Sequence, residues 1–295
     1  MIFAKGLSVP EGPVALPDGS WLVVEMGPDR GCVSRVGADG KARTELARTG
    51  RPNGLAMDYR DRIWVCESNP PSLIRMELDG AWQVVLDRSA DGPFLFPNDL
   101  CFGPDGMLYF TDSGIRFVDF APGGKVRSDY ADLDYAGRVY RLDPETLALS
   151  VLADGIKFTN GLAFGPGDTH LYVAETITGD ILRYAWSRDG LGPAEIFGNV
   201  ISPDAPAGMN GPDGIAFGAD GDLYVTVFGQ GDVTVLAPDG SVRTRIRTEG
   251  SAPTNVAFGC DGEKRIYVTE DERGTIEAFD VGTSGLPLHD GRVAS

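Results

Sequence analysis

One hydropathic figure recurs along the chain: a polar residue usually followed by glycine, a short apolar run, a Gly/Asp-rich break, and a second run rich in β-branched and aromatic residues. It is read in VPEGPVALPDGSWLVVEM from 9, RPNGLAMDYRDRIWVCES from 51, FPNDLCFGPDGMLYFTDS from 96, FTNGLAFGPGDTHLYVAET from 158, GPDGIAFGADGDLYVTVF from 211 and PTNVAFGCDGEKRIYVTED from 253. Each copy predicts a hairpin, because the break supplies turn residues and the flanking runs suit strands. Most units add two more strands, as in CVSRVGADG followed by KARTELA and ILRYAWSRDG followed by AEIFGNV. Self-similarity at this spacing marks a repeat architecture whose units bury their faces only against one another. Six four-stranded units predict an all-β fold, a six-bladed β-propeller, as a single domain over residues 1–295. The N-terminal IFAKGLSVPEGPVA resembles the approach to later repeats, so Ile2 to Lys5 is expected to close the ring as the outer strand of the last blade.

Composition agrees and narrows the partners. Forty glycines and twenty prolines fit many short strands joined by tight turns. A net charge of −17 argues against nucleic acid and anionic membrane surfaces and leaves small molecules and cations. No run approaches the ~20 apolar residues of a membrane span, and the N-terminus has no basic region ahead of an apolar one, so a cytoplasmic location is expected. Cys32, Cys66, Cys101 and Cys260 have unrelated spacings and read as reduced thiols.

In a propeller the first strand of each blade lines the channel, so the residues opening those strands form a ring at one mouth. Those residues are read as Glu11, Asn53, Asn98, Asn160, Asp213 and Asn255, with Asn53 and Asn255 the weakest members. Such a cluster of acceptors needs a cation or a hydrogen-bond network in a confined channel. All-oxygen donors without His or Cys select hard divalent ions, Ca²⁺ first. A second set of acids ends the second strands: Glu25, Glu67, Asp112, Glu175 and Glu270, with Val227 in the fifth unit. These either bind substrate hydroxyls or a second cation, or accept from neighbouring turn amides. The surplus segment GIRFVDFAPGGKVRSDYADLDYAG, residues 114–137, is long enough to cover the mouth. In the shorter insertion before Asp213, Met209 and Asn210 are candidate substrate contacts. His170 and His289 stand beside no recognisable nucleophile, which excludes a Ser-His-Asp hydrolase, and no glycine-rich loop opens a helix for a nucleotide.

The segments EGPVALPDG, PNGLAMD, PNDLCFGPDGMLYFTD, TNGLAF and PDGIAFGADGDLYV resemble those of the senescence marker protein/gluconolactonase/luciferin-regenerating-enzyme family over nearly the whole chain. The resemblance implies a six-bladed propeller with a divalent cation in its channel, held by Glu11, Asn160 and Asp213, with Asn98 as a further substrate or metal contact. It also implies hydrolysis of sugar lactones or related esters, phosphotriester hydrolysis being known on the same scaffold. Regucalcin-like members carry Arg two residues before the equivalent of Asn98, where this chain has Phe96. That exchange removes a polar contact, makes Phe96 a candidate substrate contact, and favours a less polar or differently shaped lactone.

The chemistry follows from the residues. A cation held by Glu11, Asn160 and Asp213 would polarise a lactone carbonyl and stabilise the oxyanion formed on attack, with Asp213 as base or nucleophile and Asn98 assisting. The expected protein is a metal-dependent lactonase using Ca²⁺, with Mg²⁺, Mn²⁺, Zn²⁺ or Fe²⁺ as alternative ions. The competing readings are a phosphotriesterase-like hydrolase at the same site and a calcium-binding propeller without catalysis.

Overall fold

The computed structural model describes residues 1–260 and 262–293. Six four-stranded antiparallel sheets form a propeller. The innermost strands, in blade order, are Pro10–Ala15, Pro52–Met57, Pro97–Phe102, Thr159–Phe164, Gly211–Phe217 and Pro253–Phe258. Ile2–Lys5 pairs with Thr275–Asp280, so the last blade takes its outer strand from the N-terminus and the ring closes as expected.

Every blade is covered on both faces, which explains the unbroken apolar second strands. In Ile63–Ser68, Ile63 and Val65 pack toward the first blade while Trp64 and Cys66 pack toward the third. Strand alternation thus sends one strand into two cores. Apolar wedges of this kind fill all six seams, the last joining Tyr267 and Ile276 to Trp21 and Val23. The four cysteines are free thiols, and burial pushes that of Cys66 well above its usual range.

Hydroxyls stitch the channel wall. Thr111 Oγ1 donates to the Asn160 carbonyl at 2.9 Å, Thr176 Oγ1 to that of Pro212 at 2.9 Å, Thr226 Oγ1 to that of Thr254 at 2.8 Å, and Thr254 Oγ1 to that of Pro10 at 2.8 Å. Each bond ties one blade to the inner strand of the next. Innermost strands approach so closely that side chains are excluded at some positions. A Cβ on Gly214 would fall 2.0 Å from Asn255 Oδ1, and one on Gly161 would fall 2.4 Å from the Asp213 carbonyl.

The segment after Asp280 runs over the face opposite the mouth. Gly285 bridges Gly218, His289 bridges Phe102, and His289 Nε2 lies 2.9 Å from Asp168. Neither histidine reaches the channel mouth; His170 bonds its neighbour Thr169. No helix among the described residues is long and apolar enough to cross a membrane.

Candidate functional site at the channel mouth

Pairing registers define which residue of each blade opens onto the channel. Pro10, Pro52, Pro97, Thr159 and Pro253 face Glu25, Glu67, Asp112, Glu175 and Glu270, respectively, across the first hairpin. The next position is therefore Glu11, Asn53, Asn98, Asn160 and, in the last blade, Thr254; Asp213 follows Pro212 in the fifth. The expectation for Asn255 is corrected by one residue. The sequence PTN places Asn255 in the column that Gly12, Gly54, Gly161 and Gly214 occupy elsewhere, and Asp99 fills that column in the third blade.

This shift brings an unforeseen carboxylate into the channel. Asn255 Nδ2 donates to Glu11 Oε1 at 2.8 Å and makes a longer contact of 3.4 Å to Asp99 Oδ2. Glu11, Asp99 and Asp213 thus share one confined space. Burial, then the charges of Asp99 and Asp213, push the Glu11 carboxyl well above the usual range. Burial and Asp99 do the same to Asp213, and burial raises Asp99 to about 6. Asp99 was detectable as one of two non-glycine residues in a glycine column.

The amides of the ring are oriented by hydroxyls whose protons are already committed. Ser113 Oγ donates to the Thr159 carbonyl at 3.0 Å, so it accepts from Asn98 Nδ2 at 3.0 Å. Thr176 Oγ1 donates to Pro212 and accepts from Asn160 Nδ2 at 3.1 Å. With one N–H of each amide so engaged, Oδ1 of Asn98 and of Asn160 faces away from these hydroxyls, and Asn160 also hydrogen-bonds the Asp213 carboxyl. Glu11 Oε2 is buried without a hydrogen-bond partner. Among the described residues no three His, Cys, Asp or Glu side chains stand in ligating geometry. A cation here would therefore draw on amide as well as carboxylate oxygens. Orphaned Glu11 Oε2, the Asn160 amide and the Asp213 carboxyl are oxygen donors of the kind that a hard divalent ion would take.

The second set of acids resolves toward backbone support. Asp112 accepts from the amides of Leu95, Phe96 and Gly114 at 2.8, 3.0 and 2.9 Å. Glu67 accepts from Arg51 and Asn69, Glu175 from Lys157, and Glu270 from Ala252 and Arg273. The expected substrate contact at Asp112 is accordingly replaced by a positioning role: its carboxylate holds the segment carrying Phe96. Asn210 is likewise turned into its own loop, with Nδ2 donating to the carbonyls of Pro206 and Gly208.

Residues 114–137 include a short helix, Phe117–Phe120, and pack over the mouth. Phe96, Ile115, Phe120, Tyr135 and Phe158 form an apolar cluster, flanked by Phe117 and Met209. Phe96 meets Phe117 and Phe158 edge to face at 5.8 and 5.7 Å. Tyr130 OH donates to the Gly208 carbonyl at 3.0 Å and ties the segment to the insertion before the fifth blade. Phe96 and Met209 therefore sit in the wall of the mouth, both largely sheltered. Arg51 and Asp271, which no sequence signal had singled out, also stand there, and Arg51 lies over the Phe117 ring at 3.8 Å from its centroid.

Residues 9–271 match the SMP-30/Gluconolactonase/LRE-like region. The chain is 28% identical over 282 residues to a gluconolactonase of Zymomonas mobilis, covering 89% of this chain and 76% of the relative. A solved gluconolactonase from Xanthomonas campestris superposes with a TM-score of 0.77 at 26% identity, covering 97% of this chain and 89% of that one. Regucalcin from Agrobacterium tumefaciens, described as a calcium-binding protein, shares the fold with a TM-score of 0.77 at 20% identity, over 98% of this chain and 95% of that one. The repeat, the closed six-bladed ring and the match over most of the chain make this protein a member of the SMP-30/gluconolactonase/LRE-like family.

Proposed function

We propose that the protein is a metal-dependent hydrolase of lactones, acting at the channel mouth. The observation that carries this reading is the donor set itself: buried, unpartnered Glu11 Oε2 beside the hydroxyl-oriented amide of Asn160 and the carboxyl of Asp213. Gluconolactonases among the relatives support the reaction class. Glu11, Asn160 and Asp213 would hold the ion, with Ca²⁺ first because every donor is a hard oxygen. Bound there, a divalent cation supplies Lewis-acid polarisation of the lactone carbonyl.

The chain's own residues do the rest. Asn98, fixed through Ser113, presents its carbonyl oxygen to an attacking water or to a substrate hydroxyl. Asp213 accepts the proton of that water. The alkoxide released on ring opening then takes that proton from Asp213, leaving a hydroxy acid and the free carboxylate. Phe96, Phe117 and Met209 exclude water from one side of the mouth. The test is a panel of lactones assayed after chelation and after return of Ca²⁺, Mg²⁺, Mn²⁺ or Zn²⁺ separately. Hydrolysis lost on chelation and restored by one of these ions is expected. Metal binding with no turnover of any lactone would favour a calcium-binding propeller, and turnover of phosphotriesters alone would favour that hydrolase class.

A further inference from the structure

An arginine, Arg51, stands against Phe96 in the wall of the mouth. Arg51 stands two residues before Asn53, the same offset that Phe96 has from Asn98, one blade earlier. Its guanidinium lies over the Phe117 ring at 3.8 Å and near Phe96 at 5.5 Å from the centroids. One edge donates to Ser68 Oγ at 3.0 Å, and Ser68 Oγ in turn donates to the Arg51 carbonyl at 2.7 Å. Plane and position are thus fixed by an aromatic face and a hydroxyl. Among the described residues Arg51 has no ion-pair partner within 4.0 Å, whereas the nearby Glu67 carboxylate accepts from backbone amides.

We propose that Arg51 is a specificity-determining residue that receives an anionic substituent of the substrate, so that the preferred substrate is a lactone carrying a carboxylate or a comparable acid group. This rests on the lactonase reading above. A preoriented planar fork whose donors are largely unpaired fits a two-oxygen acid better than a single hydroxyl. Burial lowers Arg51 to about 10 against the opposing charges of Glu67, Asp271, Glu11 and Asp213. The same group feels Glu67 and Asp271 more strongly than Glu11 and Asp213. Arg51 stands just before the inner strand Pro52–Met57, its backbone within roughly 7 Å of the ring position Asn53. A lactone with its carbonyl at the ring would extend its far substituent toward this position. Phe96 and Phe117 form the platform on which Arg51 lies.

The test compares D-glucaro-1,4-lactone with D-glucono-1,4-lactone, which differ only in a carboxylate against a hydroxymethyl group. The enzyme is used as wild type, Arg51→Met and Arg51→Lys, all metal-loaded. Met keeps an apolar stem on Phe117; thermal midpoints verify that the variants fold. For the acidic lactone, Arg51→Met is expected to raise KM about 10- to 100-fold with little change in kcat, and Arg51→Lys to restore part of it. The neutral lactone should change less than about threefold. Equal losses on both substrates would overturn the proposal and put Arg51 at the reacting oxygen; no loss on either would overturn it outright. If the wild type hydrolyses neither of these nor any other lactone of the panel, the lactonase reading fails, and D-glucarate becomes the probe. A midpoint raised by glucarate in wild type but not in Arg51→Met would still support an acid-receiving Arg51, and equal responses would refute it.

Discussion

Asn255 and Glu11, 244 residues apart, meet side chain to side chain where the last blade closes on the first: Asn255 Nδ2 donates to Glu11 Oε1 at 2.8 Å. The same amide reaches Asp99. Asn255→Ala removes the donor shared by two buried carboxyls. The expected result is a loss of about 1–3 kcal/mol in denaturant stability under chelation, together with weaker cation binding, because Glu11 loses the contact that sets its rotamer. A variant with unchanged midpoint and unchanged metal affinity would show that the amide is incidental.

The crowding of Glu11, Asp99 and Asp213 predicts an unusual pH response. Asp99 lies at about 6 in the folded protein, against an ordinary value near ~4, and the other two are also raised. The native state therefore binds more protons than the unfolded state between those values. The resulting stabilisation is full below about 4 and is lost as pH rises through about 6. In chelator, the thermal midpoint should rise when pH falls from 7.5 to 5.5, and Asp99→Asn should flatten that rise. Saturating cation should narrow the difference, since ligation favours the deprotonated acids. A midpoint that falls on acidification over this range would contradict the shared-space account.

Thr176→Val tests the orientation of Asn160 without touching a proposed ligand. The variant keeps the shape but loses the hydroxyl that accepts from Asn160 Nδ2 and donates to Pro212. Cation affinity should drop by about three- to tenfold, in line with one neutral hydrogen bond. Calorimetric titration measures it directly, and an affinity equal to wild type would mean that Asn160 is held by other means.

Gly214→Ala should be among the most damaging small changes. Its Cβ would meet Asn255 Oδ1 at 2.0 Å and Asn255 Cα at 2.7 Å, with backbone unable to yield. A destabilisation of several kcal/mol is expected from overpacking and displacement of the amide. Chemical denaturation reads it; a near-neutral result would mean that the fifth and sixth inner strands can separate.

The repeat made the fold legible, because each blade carries the same hairpin and each second strand is apolar on both faces. The closing strand was readable from Ile2 to Lys5 for the same reason. Register at the mouth was less so. PTN in the last blade looks like PNG with a substitution, and only the pairing of Pro253 with Glu270 shows that Thr254, not Asn255, holds the ring position. Asp99 was hidden beside Asn98, although its departure from a glycine column carried the signal. Arg51 carried no signal, because a single arginine ahead of a turn reads as a solvated charge until the 114–137 segment folds and brings Phe117 beneath it. The acids at the ends of the second strands looked like a ligand ring in sequence, and their backbone amide partners appear only once the loops are folded. Those amides arise from loops that no side-chain pattern specifies.

On the proposed function, one divalent cation sits among Glu11, Asn160 and Asp213, and lactone hydrolysis depends on it. Elemental analysis and turnover, measured side by side on wild type, Glu11→Gln and Asp213→Asn, test it most directly. The account predicts about one tightly held ion per wild-type chain with chelator-sensitive turnover. Glu11→Gln should lose most of the ion and the activity together. Asp213→Asn should have little activity even when loaded at saturating metal. Wild-type protein free of metal yet fully active on a lactone, or a loaded Asp213→Asn with normal turnover, would contradict it.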